Sequence, residues 1–152
     1  MPKASDIMTR EVITVSPDTP VRDLANLFLT HRVSSIPVVR DGLLVGMVTE
    51  TDLIEKDRNL HIPTVFSLFD GVFYLESEKV LQQQLKKISG STVGEICTGN
   101  PASVSPDTDL STIADMMSEH RYNAVPVTEE GRVVGIVARI DLIRTMIEEG
   151  DV

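Results

Sequence analysis

The chain has 152 residues and 41% apolar residues, enough for one domain or for two small units that share a core. Its net charge of −9 argues against general nucleic-acid binding, and no apolar run approaches the ~20 residues of a membrane-spanning helix. Residues 1–10 lack the apolar core of a signal peptide and Cys97 is the only cysteine, so we expect a cytoplasmic protein with no membrane partner, no internal disulfide and no cysteine-rich metal site.

The first predicted element is a helix that follows a Ser-Pro-Asp-Thr turn at residues 16–19. Thr19 is predicted as the N-cap and Pro20 as the first helical residue, where a missing N–H is harmless. An apolar stripe with i, i+3, i+4, i+7 spacing predicts an amphipathic helix: Val21, Leu24, Ala25 and Phe28. We interpret His31-Arg32, and the repeated pair His120-Arg121, as cations that interact favourably with the C-terminal end of the helix that precedes them.

A β-hairpin and a second helix are predicted next. Two β-rich runs, residues 35–39 and 43–48, flank a turn that ends in Gly42. A helix is predicted to begin at about Glu50. With a short strand ahead of the first helix, the series is strand, helix, strand, strand, helix.

The region from 55 to 92 differs in composition from what precedes it. It contains an apolar stretch at 62–75 and a predicted helix at 77–88. Four aromatic residues cluster here: Phe66, Phe69, Phe73 and Tyr74. Such a cluster in an aromatic-poor chain covers either its own core or a partner surface, and the sequence leaves both alternatives open.

The last part of the chain repeats the first. At an offset of 89 residues, 19 of the 50 aligned pairs between 5–54 and 94–143 are identical without a gap. The apolar stripe recurs at Leu110, Ile113, Ala114 and Met117, the β-rich runs recur at 124–128 and 132–137, and a helix is predicted from about Arg139. We therefore predict three regions, 1–54, 55–92 and 93–152, with the two repeats packed around a pseudo-twofold axis.

The candidate binding residues lie in the motif Gly-x-x-Thr-x-x-Asp, which begins at Gly46. Thr49 and Asp52 have the spacing of a capping box, in which each side chain accepts the other residue's backbone N–H. The same residues also suit a nucleotide, because a helix N-terminus attracts phosphate and a carboxylate can hold a ribose diol. In the second repeat Ala138 replaces the threonine but Asp141 is kept, so the sequence leaves both interpretations open.

The repeats resemble a tandem pair of CBS domains, the Bateman module. The resemblance covers about 100 residues. Its specific elements are Ile7-Met8-Thr9 and Ile96-Cys97-Thr98, the two Ser-Pro-Asp-Thr turns, Ile36-Pro37-Val38 and Val125-Pro126-Val127, and the two glycine-to-Asp-Leu phrases. It implies a mixed α/β (α+β) fold of two β-α-β-β-α repeats. It also implies a regulatory module without catalytic activity that commonly dimerises and senses adenine nucleotides or adenosyl compounds in two clefts.

The same resemblance implies the site residues. The first cleft would use Thr49, Asp52, Ala102, Ser103, Tyr122 and Val125. The second cleft would use Ile13, Thr14, Val33, Ile36 and Asp141. Independently of the resemblance, Arg139 is expected beside this cleft, where it could supply positive charge. The glycines Gly46 and Gly135 would let a ligand or a neighbouring backbone approach the strand closely.

One departure from the family pattern leaves the ligand open. Several nucleotide-sensing members have a His-Arg pair directly before the strand that contains proline, where this chain has Ser34-Ser35 and Asn123-Ala124. AMP, ADP, ATP and S-adenosylmethionine therefore all stay candidate regulatory ligands, with no obligatory cofactor. The leading hypothesis is a homodimeric sensor that signals to a separate effector protein. The alternative is a structural or dimerisation module with unoccupied clefts that interacts through the aromatic region.

Overall fold

The computed structural model describes residues 2–55 and 91–150, and the elements of its second half repeat those of the first. The first half contains α1 (Ala4–Ile7), α2 (Val21–His31), β1 (Ser35–Arg40), β2 (Leu43–Thr49) and α3 (residues 50–55). The second half contains α4 (Val93–Ile96), β3 (Thr98–Gly99), α5 (Leu110–His120), β4 (Ala124–Glu129), β5 (Arg132–Ala138) and α6 (Arg139–Glu148). The predicted aromatic stretch at 62–75 and helix at 77–88 lie outside the described residues.

Each half forms one antiparallel hairpin, β1 with β2 and β4 with β5. One residue pair, Leu43 opposite Arg132, joins the hairpins, so the strand order is β1-β2-β5-β4 with β3 paired to β2. Both residues of each turn, 41–42 and 130–131, have positive φ, as a tight hairpin turn requires. The predicted fold class is confirmed: helices pack on an antiparallel sheet built from two related halves.

The predicted boundaries differ from the structure in small ways. All four hairpin strands end one residue later than predicted, and α3 and α6 begin at residues 50 and 139 as predicted. The short strand expected before α2 is reduced to one parallel bridge between Val15 and Val38. The predicted cap of α2 was wrong, because Pro20 is the N-cap and the Thr19 hydroxyl accepts the Ser16 N–H at 3.0 Å within the turn.

The N-terminal segment of each half packs against the other half. The Ala4 and Ser5 N–H groups donate to the carbonyls of Thr108 and Pro106 at 2.9 and 3.0 Å. The related bonds, both 2.9 Å, run from Val93 to Thr19 and from Gly94 to Pro17. The first N–H groups of a helix have no partner within it, so the two Ser-Pro-Asp-Thr turns supply those acceptors for the opposite half.

The exchanged segments contribute to two apolar cores. The first core combines Val93 with Val15, Leu24, Phe28, Ile36, Val38 and Val48. The second combines Ala4 with Val104, Ile113, Met117, Val125, Val127 and Val137. Val93 is fully buried, and burying a valine side chain stabilises a fold by roughly 1.5–3 kcal/mol. Each core is therefore incomplete without a residue from the other half of the chain.

Within residues 2–55 and 91–150, no helix is both long and apolar enough to cross a bilayer. The cytoplasmic location stays a prediction.

Candidate functional site

The first cleft lies between the start of α3 and the residues that flank α5, and has a volume of about 310 Å³. Residues of both halves line it: Ser35, Met47, Thr49, Thr51, Asp52, Thr98, Asn100, Pro101, Ala102, Arg121, Tyr122, Asn123, Ala124 and Pro126. The volume falls within the range typical of small-molecule sites. The structure brings together four of the six residues predicted here: Thr49, Asp52, Ala102 and Tyr122.

The second cleft occupies the pseudo-equivalent position at the start of α6 and is larger, at about 640 Å³. It is lined by Thr9, Glu11, Val12, Ile13, Arg32, Val33, Ser34, Ser35, Glu50, Asn123, Ala124, Ile136, Ala138, Arg139, Ile140 and Asp141. Four of the six residues predicted for it are present: Ile13, Val33, Arg139 and Asp141. Ser35, Asn123 and Ala124 border both clefts, which therefore meet near the pseudo-twofold axis.

Four predicted residues do not line the clefts. Val125 and Ile36 are almost fully buried in the two cores, because alternate residues of a strand face opposite sides. The neighbours of Val125 on β4, Ala124 and Pro126, face the first cleft instead. Ser103 is exposed and lines a separate shallow groove, and the equivalent Thr14 is exposed outside all described cavities.

The first acid of the repeat phrase forms a complete capping box. The Thr49 N–H donates to Oδ2 of Asp52 at 2.9 Å, and the Asp52 N–H donates to Oγ1 of Thr49 at 3.2 Å. Oδ1 of Asp52 accepts no hydrogen bond from residues 2–55 or 91–150. The capping and ligand-binding interpretations are thus compatible, because they require different carboxylate oxygens.

The second acid is held differently. The Ala138 N–H donates to Oδ2 of Asp141 at 2.8 Å, and no hydroxyl at position 138 can return the bond. Nη1 of Arg144 lies 3.6 Å from Oδ1 of Asp141, and the Asp141 side chain is largely buried. Both oxygens of this carboxylate therefore already have partners, which leaves it less available than Asp52 to a ligand.

Two arginines at the clefts were not predicted as site residues. Arg121 lines the first cleft and Arg32 lines the second, each directly after the helix that precedes its hairpin. Both have left-handed backbone angles, with φ of 55° and 53°. The sequence did contain a signal, because the His-Arg pair recurs in both repeats. We interpreted both pairs as charges at helix ends and did not predict that the arginines line the clefts.

The aromatic wall of the first cleft is held by a stacking contact. The rings of His120 and Tyr122 lie 5.2 Å apart between centroids with an interplanar angle of 23°. Tyr122 borders the cleft, where an aromatic face can stack on a nucleobase. The equivalent residue of the second cleft is Val33, so only the first cleft has an aromatic wall at this position.

The two repeated glycines admit protein segments. A Cβ on Gly46 would lie 2.9 Å from the Thr98 carbonyl oxygen and 3.1 Å from Sγ of Cys97. A Cβ on Gly135 would overlap the side chain of Met8. The glycines thus let the N-terminal segment of the opposite half approach β2, and that of the first half approach β5. Of the two predicted roles for these glycines, they serve the close approach of a neighbouring segment of the protein.

Cys97 is half-buried and packs against the core that contains Val93. Burial raises the pKa of its thiol above the ordinary value for cysteine, and the Asp52 carboxylate raises this pKa further. A raised pKa leaves less nucleophilic thiolate at neutral pH. No group of three or more His, Cys, Asp or Glu side chains within the described part of the chain could hold a metal ion.

The sequence model of the CBS domain matches residues 4–59 and 93–148. The chain is 30% identical to the CBS domain-containing protein YhcV of Bacillus subtilis over 142 residues, 93% of this chain and 84% of YhcV. It is 29% identical to the chloroplastic CBSX2 of Arabidopsis thaliana over 94% of this chain, but spans only 63% of that protein.

Solved structures of the same architecture exist. The fold superimposes on the crystal structure of CBSX2 in complex with AMP with a TM-score of 0.74 and 27% identity, covering 97% of this chain and 98% of that one. The inosine-5'-monophosphate dehydrogenase of Thermoplasma acidophilum is 25% identical over 138 residues, which is 22% of that enzyme.

Proposed function

The chain belongs to the CBS domain family, and on this premise we propose that it is a regulatory module that binds an adenine nucleotide or adenosyl compound between its two repeats. The observation that carries the proposal is the first cleft, where Asp52 and Thr49 from one repeat face Ala102 and Tyr122 from the other. A nucleoside requires a carboxylate oxygen for its ribose hydroxyls and an aromatic wall for its base. Asp52 offers an oxygen that accepts no hydrogen bond from the described residues, and Tyr122 offers the wall.

The relative solved with AMP supports this choice of ligand class. CBSX2 shares the fold over nearly the whole chain at 27% identity. AMP is therefore the first ligand to test, ahead of ADP, ATP and S-adenosylmethionine. The proposal includes no catalysis and no obligatory cofactor, and the dehydrogenase relative aligns over only 22% of its own length.

Ligand binding would act on a partner through the relative position of the repeats. Residues from both halves line each cleft, so a bound nucleotide favours the arrangement in which both walls contact it. A separate effector protein would respond to that arrangement. Such signalling requires that the ligand bind the two arrangements with different affinity.

A thermal-shift and calorimetry panel tests the proposal. AMP, ADP, ATP, adenosine and S-adenosylmethionine are added at increasing concentration to the full chain. A true ligand at 100 times its Kd should stabilise the folded state by ~2.7 kcal/mol. Absence of both a Tm shift and binding heat with every compound would contradict the sensor function.

The second candidate is a structural or dimerisation module, and an apolar helix face favours dimerisation. Ile140, Ile143 and Ile147 lie on α6 with i, i+3, i+7 spacing and are 59%, 50% and 61% exposed. An exposed apolar stripe of this kind marks an association surface. We propose that this face pairs two copies of the chain, whether or not the clefts are occupied. The aromatic cluster offered as an alternative interface lies outside the described residues.

A further inference from the structure

We propose that Arg121 selects an anionic ligand for the first cleft, so that this site prefers a nucleoside 5′-phosphate to an uncharged adenosyl compound. The inference rests on the proposed nucleotide-binding function. It adds that the ligand is an anion and that Arg121 recognises its charge. Three observations carry it: the backbone conformation of Arg121, the charges around it and the contrast with the second cleft.

The backbone of Arg121 is unfavourable for arginine. Its φ of 55° and ψ of 38° place it in the left-handed region directly after α5. Glycine usually occupies this position of a helix end, and other residues are disfavoured there by roughly 1–2 kcal/mol. Such conformations concentrate at binding and active sites, where the side chain has a task that glycine could not perform.

The charges around Arg121 leave it available to an anion. Among the described residues that line the first cleft, Arg121 is the only basic one and Asp52 is the only acidic one. Among residues 2–55 and 91–150, the Arg121 guanidinium has neither an ion pair nor a hydrogen-bond partner. A guanidinium presents five donors in a planar fork that matches a phosphate. The first cleft thus offers one group for a diol and one for a phosphate.

The second cleft does not repeat this arrangement. It also has an arginine in the left-handed region, Arg32, but three carboxylates line it: Glu11, Glu50 and Asp141. Its other cation, Arg139, already donates its Nε–H to the Tyr122 carbonyl at 3.4 Å. Carboxylates close to a phosphate repel it. Phosphate selection is therefore assigned to the first cleft alone.

The test compares a charged and an uncharged ligand of otherwise identical structure. AMP and adenosine are titrated by calorimetry into the parent chain, Arg121→Gly and Arg121→Gln. Loss of a group that makes charge-assisted hydrogen bonds should weaken the binding of AMP about ten- to a hundredfold in both variants. The affinity for adenosine should change less than about threefold, because adenosine has no phosphate for Arg121 to contact. Glycine also relieves the left-handed backbone, so the unliganded Arg121→Gly variant should melt no lower than the parent.

The matched control is Arg40→Gln, which removes the same charge from an exposed residue outside the described cavities. It should leave both affinities within about threefold of the parent, because surface charges distant from a site are screened by salt. If the parent binds AMP and the Arg121 variants bind it equally well, or lose AMP and adenosine in parallel, the assignment of Arg121 is wrong. If the parent binds neither compound, the proposed function itself fails.

Discussion

Thr49 and Asp52 bind each other reciprocally at the entrance of α3, with the two N–H donors 2.9 and 3.2 Å from their side-chain acceptors. The pair therefore fixes the direction of the Asp52 carboxylate before any ligand arrives. Preorganisation of this kind lowers the entropy lost on binding. The same two residues form the helix cap and the proposed ribose site, so substitutions here should affect both the stability of the fold and the affinity for the ligand.

Replacing Asp52 by alanine should reveal both roles. We expect Asp52→Ala to lower the free energy of unfolding by ~1 kcal/mol and to weaken AMP about tenfold or more. Asp6→Ala is the matched control, because Oδ2 of Asp6 accepts the Lys3 N–H at 2.8 Å at the start of α1, outside the clefts. The control should reduce stability only, as measured by urea unfolding and calorimetry. A loss of stability without a loss of affinity in Asp52→Ala would leave Asp52 as a cap.

The half-formed cap of the second repeat can be completed. Ala138 has φ of −103° and ψ of 165°, the extended conformation of an N-cap, so a hydroxyl placed there can accept the Asp141 N–H. We expect Ala138→Thr to raise the free energy of unfolding by ~0.5–1 kcal/mol, and Thr49→Ala to lower it by a similar amount. Chemical denaturation measures both. An unchanged or lowered midpoint in Ala138→Thr would contradict the capping argument.

A methyl group on Gly46 should disturb the exchanged segment. Its Cβ would lie 2.9 Å from the backbone oxygen of Thr98, which cannot move without breaking the pairing of β2 with β3. We expect Gly46→Ala to lower the free energy of unfolding by ~1–3 kcal/mol. Gly99→Ala is the control, because a Cβ there meets nothing within 4 Å. Equal melting temperatures for the two variants would show that the close approach is relaxed in solution.

Cys97 can report the charge of Asp52. Burial and the Asp52 carboxylate both raise the pKa of its thiol, so the thiolate forms only as the pH rises above the ordinary value. Alkylation by iodoacetamide should therefore be slow at pH 8 and should accelerate towards higher pH. Asp52→Asn removes the repulsive charge and lowers this pKa, so it should speed alkylation severalfold. Because Cys97 is the only cysteine, mass spectrometry follows the reaction directly. Equal rates in parent and variant would contradict the electrostatic coupling.

The α6 face gives a direct test of dimerisation. We expect Ile143→Glu to convert a dimer into a monomer, because a carboxylate in an apolar interface would be desolvated without a partner. Val45→Glu is the control, since this side chain is also partly exposed, at 38%, but lies on β2. Light scattering at several concentrations measures the mass. A parent chain that is monomeric throughout would remove the case for this interface.

Much of the fold was accessible from the sequence. Apolar periodicity and turn residues predicted all four hairpin strands and both helices that begin after them. These elements are specified locally, by the spacing of apolar residues and by the glycines in the turns. The cap of α2 was misplaced by one residue, because the Thr19 side chain accepts the Ser16 N–H inside the turn instead. Local side-chain to backbone bonds compete with caps, and sequence alone does not decide between them.

The site was only partly accessible. A strand residue faces either the core or the cleft, and the family resemblance carried Val125 and Ile36 to the clefts although both are almost fully buried in the cores. Arg121 was passed over because its position depends on a left-handed residue after the helix, which the sequence does not mark when that residue is not glycine. Contacts between the halves, such as the Ala4 N–H with the Thr108 carbonyl, needed the tertiary structure.

The exchange of N-terminal segments has a consequence for how the molecule holds together. Each half depends on the other for a buried core residue, since Ala4 completes the core of one and Val93 that of the other. A cut in the region that connects them would leave two fragments still interlocked, and the separately expressed fragments should regain their structure only when mixed. Unfolding should accordingly be all-or-none across both halves, with no stage in which one survives the other.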